Sequence, residues 1–184
     1  MVEVLFIHSA GTQGPGEGSN PLVAALREAL PSGFSLRAPI MPEPDAPEAE
    51  PWIAAVKAET GGIAADFILV GHSLGGSILL QALERHGVPE NLLGVVVLAA
   101  PFWGAPDWAY ESFALSADAP ARLKGLRKVI IMRGDRDEVV AEDHPERYRK
   151  VLPQGEIRIL PGIDHEAANA APELARAIAD IARS

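Results

Sequence analysis

The apolar residues of this chain alternate between short runs of strand length and longer segments with helical spacing. Six runs predict strands: 2–8, 34–37, 67–70, 93–99, 128–132 and 156–160. Helical segments are predicted between and after them, at 21–30, 52–59, 74–85, 146–151 and 171–182. Strands that alternate with helices indicate parallel pairing, with helices covering both faces of the sheet. We therefore expect an α/β fold: a single domain over residues 1–184, with α/β/α layers and a mostly parallel six-stranded sheet.

Two loops separate the first elements. A Gly-rich segment follows the first predicted strand, and Ser19 or Asn20 is predicted to cap the next helix, with Pro21 at its first position. Residues 39–51 contain five prolines and four acidic residues, which predicts an irregular loop because proline interrupts both helices and central strands.

The composition of the chain excludes or disfavours several classes of site and partner. The chain has 184 residues, no cysteine and a formal net charge of -9. A disulfide framework, a cysteine nucleophile and a thiolate metal site are therefore excluded. The acidic balance argues against nucleic-acid partners, since no basic face is available for phosphates. No apolar run reaches about 18 residues, and the N-terminus lacks the basic region of a secretory signal. We expect a cytoplasmic protein with a small-molecule partner and no membrane association.

Residues 71–75, which read Gly-His-Ser-Leu-Gly, lie between the strand ending at 70 and the helix beginning at 74. This is the G-x-S-x-G nucleophile elbow in the strand–turn–helix context that the motif requires. A turn tight enough to project Ser73 strains its backbone, and glycine on either side avoids collisions across the turn. The turn also places the Leu74 N–H at a helix N-terminus, where it can stabilise an oxyanion beside the serine.

With this elbow, the chain resembles a small member of the α/β-hydrolase superfamily. In size and layout it is similar to the compact, lid-poor serine hydrolases of the retinoblastoma-binding-protein type. The usual eight-stranded sheet of the superfamily would here be trimmed to six strands. The resemblance implies a Ser-Asp-His triad in that chain order, with each residue following a later strand.

The resemblance places the base at His165, in the loop between the last strand and the C-terminal helix. It places the acid after strand 128–132, and the usual spacing from Gly134 selects Asp137. Asp135 is the rival, for which a turn-capping role is the alternative. The second oxyanion donor carries over to the Ala10 N–H, although Ser9 stands where the family often has glycine. His165 lacks the second histidine of a zinc helix, so no metal is expected.

Aromatic residues cluster after the fourth predicted strand, on the side where ligands enter an open α/β sheet. Phe102, Trp103 and Trp108 are the candidate substrate-pocket residues, with packing onto the sheet as the alternative. A dinucleotide site in the first loop is disfavoured because residues 14–18 read G-x-G-x-G, with Glu17 where phosphate would lie.

The sequence thus predicts a carboxylesterase-like serine hydrolase that forms an acyl-enzyme and needs no cofactor. The substrate is expected to be a small ester, with an amide or thioester as the less favoured possibility. The alternative from a different class is a protein-interaction module that retains the fold without turnover. Fold alone identifies no substrate.

Overall fold

The computed structural model describes residues 1–183 as six strands and the helices around them. The strands are β1 (Val2–Ile7), β2 (Phe34–Arg37), β3 (Phe67–His72), β4 (Leu92–Leu98), β5 (Val129–Gly134) and β6 (Gly155–Leu160). The helices are α1 (Asn20–Ala29), α2 (Ala49–Gly61), α3 (Leu74–His86), α4 (Ala119–Arg122), α5 (His144–Val151) and α6 (Ala171–Ala182), with a 3-10 turn at Glu111–Phe113.

The strands form one sheet in the order β2-β1-β3-β4-β5-β6, and each neighbouring pair is parallel. The predicted α/β fold with a six-stranded parallel sheet is confirmed. The direction in which strands are added reverses between β1 and β3. The carboxyl ends of the strands at such a reversal border the crevice in which open α/β sheets bind ligands.

Apolar side chains pack on both faces of the sheet. One cluster joins the sheet to α2, α3 and α5, and includes Trp52, Ile78 and Tyr148. The other joins the opposite face to α1 and α6, and includes Leu22 and Ile178. The three α/β/α layers follow, because the strand residues are buried on both sides.

Local structure departs from prediction at three helix starts. Helix α2 begins at Ala49, inside the predicted 39–51 loop, because Pro51 falls in the first turn, where proline is tolerated. Ser19 occupies the N-cap position of α1 but makes no side-chain capping bond, since its hydroxyl bonds elsewhere. Helix α5 begins two residues early, at His144, which is fully buried.

Within residues 1–183, no helix combines the length and apolar character needed to cross a membrane. The cytoplasmic location stays a prediction.

Candidate active site

Ser73 lies in the turn between β3 and α3 with φ 52° and ψ -122°, a conformation that non-glycine residues rarely adopt. Its N–H donates to the Leu98 carbonyl of β4 at 2.8 Å, and its carbonyl accepts from the Gly76 N–H at 2.9 Å. Backbone strain of this kind costs about 1–3 kcal/mol and persists where the surroundings hold it. The strained elbow expected from the sequence is present.

The two glycines of the motif are needed for different reasons. A Cβ on Gly71 would lie 2.5 Å from the Gly76 Cα, so this glycine avoids a collision across the turn, as expected. A Cβ on Gly75 would instead collide with the carbonyl oxygens of Ile7, the last residue of β1, and of His8, which follows it. Gly75 therefore lets the start of α3 press directly against the end of β1.

The structure brings His165 to Ser73 from the loop between β6 and α6. The His165 Nε2 is 3.0 Å from the Ser73 Oγ, and the His165 Nδ1 is 3.1 Å from each carboxylate oxygen of Asp137. A carboxylate only accepts, so Nδ1 carries the proton and Nε2 accepts from the Ser73 hydroxyl. The three side chains form one hydrogen-bonded line in which the serine can be deprotonated.

The Asp137 side chain is fully buried, while Asp135 is exposed. Burial raises the pKa of Asp137, but hydrogen bonds from His165 and from the N–H groups of Val140 and Val139 outweigh it, leaving this pKa below its ordinary value. Asp137 is therefore ionised at neutral pH. Asp135 instead accepts from the Gly162 N–H at 2.6 Å and joins the acid and base loops.

Arg133 holds the backbone of the acid loop and was missed by sequence reasoning. Its guanidinium is buried and donates to the carbonyl oxygens of Val140 (2.7 Å), Gly134 (2.8 Å) and Asp137 (2.7 Å). An arginine at the end of an apolar strand was the available signal, because a buried guanidinium requires several acceptors.

His72 was also missed. It precedes the nucleophile, is 1% exposed, and its Nε2 is 2.8 Å from the carbonyl oxygen of His165. Its Nδ1 is 2.9 Å from the Ser19 Oγ, which in turn accepts from the Ser9 N–H at 2.9 Å. Desolvation by burial lowers the pKa of His72 to about 4, so its ring is neutral at pH 7.

The two oxyanion donors predicted from the sequence lie at the start of α3 and in the loop that follows β1. Leu74 is the first residue of α3, where N–H groups have no acceptor within the helix. The Ala10 loop leaves β1, which the Gly75 approach holds against the start of α3. The residues flanking Ala10 are fixed, because the Ser9 N–H donates to Ser19 and the Gly11 N–H donates to the Pro44 carbonyl at 2.7 Å.

Comparison with known proteins identifies the family. The model of a family described as serine hydrolase matches residues 26–156. The chain belongs to the serine hydrolase family. The matched segment includes Ser73 and Asp137 and ends before His165. A comparison with curated protein sequences finds no match.

Several solved structures have the same fold as this serine hydrolase. The ydeN gene product from B. subtilis is similar with a TM-score of 0.80 and 15% identity, covering 100% of both chains. A meta-cleavage product hydrolase from Pseudomonas fluorescens IP01 is similar with a TM-score of 0.76 and 14% identity, covering 100% of this chain and 91% of the other. Est1E from Butyrivibrio proteoclasticus is similar with a TM-score of 0.69 and 16% identity, covering 99% of this chain and 87% of the other. At these identities the likeness establishes the α/β-hydrolase fold.

The predicted pocket aromatics of this serine hydrolase pack against other aromatic rings. The Trp103 ring lies 4.8 Å from Trp108 and 5.0 Å from Phe113, and its Nε1 donates to the Ser77 Oγ at 2.9 Å. The Phe102 ring contacts Tyr148 edge-on at 5.1 Å. Phe102 and Trp103 thus cover the α3 side of the core, and their contribution to substrate binding stays a prediction.

An open cavity of about 430 Å³ lies at His165, in the size range of small-ligand sites. It is lined by Arg136, Glu138, Val139, Asp164, His165 and Glu166. Among residues 1–183, no group of three or more His, Cys, Asp or Glu side chains is arranged to hold a metal ion. The expectation that no cofactor is required rests on the sequence.

Proposed function

We propose that this serine hydrolase cleaves a small carboxylic ester through an acyl-enzyme intermediate. The observation that carries the proposal is the continuous line from the Ser73 Oγ through His165 to Asp137, with heavy-atom distances of 3.0 and 3.1 Å. These distances lie within hydrogen-bond reach, which is the geometry required of an activated nucleophile and its base.

In the first half-reaction the Ser73 Oγ attacks the ester carbonyl carbon while the His165 Nε2 takes the hydroxyl proton. Negative charge moves to the carbonyl oxygen, where the N–H groups of Leu74 and Ala10 stabilise it. The tetrahedral intermediate then collapses, the bond to the alkoxy group breaks, and His165 gives its proton to the departing alcohol. Asp137 holds the ring in the required tautomer and stabilises its charged form.

In the second half-reaction water takes the place of the alcohol. His165 removes a proton from the water, the resulting hydroxide attacks the acyl carbon, and the Ser73 Oγ departs with the proton returned by His165. An ester is favoured over an amide because an alkoxide leaves more readily than an amine anion. The carboxylesterase-like assignment rests on this chemistry.

The test is active-site labelling of the wild-type chain with a fluorophosphonate, followed by peptide mass spectrometry. We expect one adduct, on Ser73, together with hydrolysis of short p-nitrophenyl esters. Ser73→Ala should lose both. Ser35→Ala is the matched control, since Ser35 is exposed on the edge strand β2, and it should keep both. A label on another serine, or none on a folded wild-type chain, would refute the mechanism and favour an interaction module without turnover.

A further inference from the structure

A buried chain of polar groups connects the two loops that border the nucleophile. We propose that Ser9, Ser19 and His72 form a hydrogen-bonded relay that fixes the Ala10 loop relative to the loop carrying His165. Ser19 and His72 would then be positioning residues for the reaction. This inference rests on the proposed function for its kinetic consequence, but its structural part can be tested without turnover.

The direction of each hydrogen bond follows from the acceptor at one end. The His165 carbonyl oxygen can only accept, so His72 donates from Nε2. A neutral ring then has an unprotonated Nδ1, which accepts from the Ser19 hydroxyl at 2.9 Å. With the Ser19 proton used in this way, the Ser9 hydroxyl donates to the Ser19 Oγ across 3.0 Å. Each group in the relay therefore donates to the next, from the Ser9 hydroxyl to the carbonyl oxygen of His165.

The burial of the relay shows that it is not a set of surface contacts. Ser19 is 0% exposed, His72 1% and Ser9 8%. Buried polar groups that lose a partner carry a desolvation penalty, so each link holds the next in place. Ser19 also departs from its expected local role, because at the N-cap of α1 its hydroxyl does not cap the helix.

The two ends of the relay contact parts of the site that are far apart in the sequence. At one end, the Ser19 Oγ accepts from the N–H of Ser9, the residue directly before Ala10. At the other end, His72 bonds to the peptide group of His165 itself, 93 residues away. His72 also directly precedes Ser73 in the chain. A shift in either loop would change the distance between the nucleophile, the base and the oxyanion donor.

Two substitutions of His72 separate its nitrogens. His72→Gln places an amide near Nε2 and can keep the bond to the His165 carbonyl. His72→Asn places its amide near Nδ1, keeping Ser19 but leaving that carbonyl without a donor. We expect His72→Asn to lower kcat by about 10–100-fold with KM nearly unchanged, and His72→Gln to lower it less, because small misplacements of reacting groups cost rate. Ser19→Ala should lower kcat by about 10-fold, and its effect should not add to that of His72→Asn.

Asn91→Ala is the matched control. Asn91 also makes two side-chain bonds to backbone carbonyls, those of Ile63 and Ala65, but it precedes β4, at the end of the sheet away from the site. It should lose stability and retain kcat. If His72→Asn and Ser19→Ala also lose stability and retain kcat, the relay has only a structural role and the proposal is wrong.

The second readout is NMR of the chain labelled with ¹⁵N-histidine. We expect a neutral His72 ring protonated at Nε2 at pH 7, and a shift of the His165 ring resonances in Ser19→Ala but not in Asn91→Ala. An Nδ1-protonated His72, or unmoved His165 resonances in Ser19→Ala, would overturn the relay. If these NMR results are obtained but the wild-type chain takes no fluorophosphonate, the proposed function is refuted and the relay remains supported.

Discussion

Adding one methyl group at Gly75 tests how the elbow is held against the first strand. A Cβ there would lie nearest to the Ile7 carbonyl oxygen, and 2.5 Å from the His8 carbonyl oxygen. Ordinary contact begins at 3.4 Å, so the start of α3 and the end of β1 must separate by at least about 0.9 Å in Gly75→Ala. The colliding atoms are backbone atoms at the end of β1, an interior strand of the sheet, and in the residue that follows it, so they cannot rotate away as a side chain would.

This separation falls between Ser73 and the loop of Ala10. We expect kcat for a p-nitrophenyl ester to fall by about 100-fold, because a displacement near 1 Å between reacting groups has that consequence. Overpacking of a close contact should also lower the free energy of unfolding by about 1–3 kcal/mol. Stopped-flow acylation and urea denaturation measure the two effects, after circular dichroism has established that the variant folds.

Gly61→Ala is the control for a glycine-to-alanine change. Gly61 ends α2, and a Cβ there would meet nothing within 4 Å. Its free energy of unfolding should rise by about 0.4–1 kcal/mol, because alanine restricts the unfolded chain, and its kcat should not change. A folded Gly75→Ala variant with wild-type acylation would show that the contact between β1 and α3 does not set the geometry of the site.

Two further predictions concern the ionisable groups. Asp137→Asn should lower kcat by up to about 10⁴-fold, because the amide favours the wrong imidazole tautomer, whereas Asp135→Asn should retain most activity, since asparagine can still accept from Gly162. Steady-state kinetics with an ester decide between them, and the reverse outcome would make Asp135 the acid. The lowered pKa of His72, about 4 against 6.5, means that the unfolded chain binds the extra proton between these values. Its contribution to stability is complete above about pH 6.5 and falls by up to about 3 kcal/mol as the pH drops to about 4. Urea denaturation at pH 7 and pH 4.5 should therefore show a steeper loss in the wild type than in His72→Gln, and equal losses would contradict it.

Much of the candidate site could be predicted from the sequence, because its strongest signals are local. The elbow needs a short glycine-flanked turn between a strand and a helix, and residues 71–75 contain all of it. The family resemblance implied the order of Ser73, Asp137 and His165. The structure places them after β3, β5 and β6, whose carboxyl ends share one edge of the parallel sheet. The alternation of strands and helices determined the fold class, because each element is recognised from the local spacing of its apolar residues.

Tertiary structure decided the features that depend on contacts between distant residues. Ser19 has the local pattern of a helix cap, yet its hydroxyl bonds to His72, 53 residues later. Gly75 belongs to the elbow motif, but the atoms that exclude a side chain there belong to β1. Arg133 supports the acid loop through three carbonyl groups that only the folded loop brings together. Local spacing determines which element forms, whereas the partner of a buried polar group depends on which elements pack beside it.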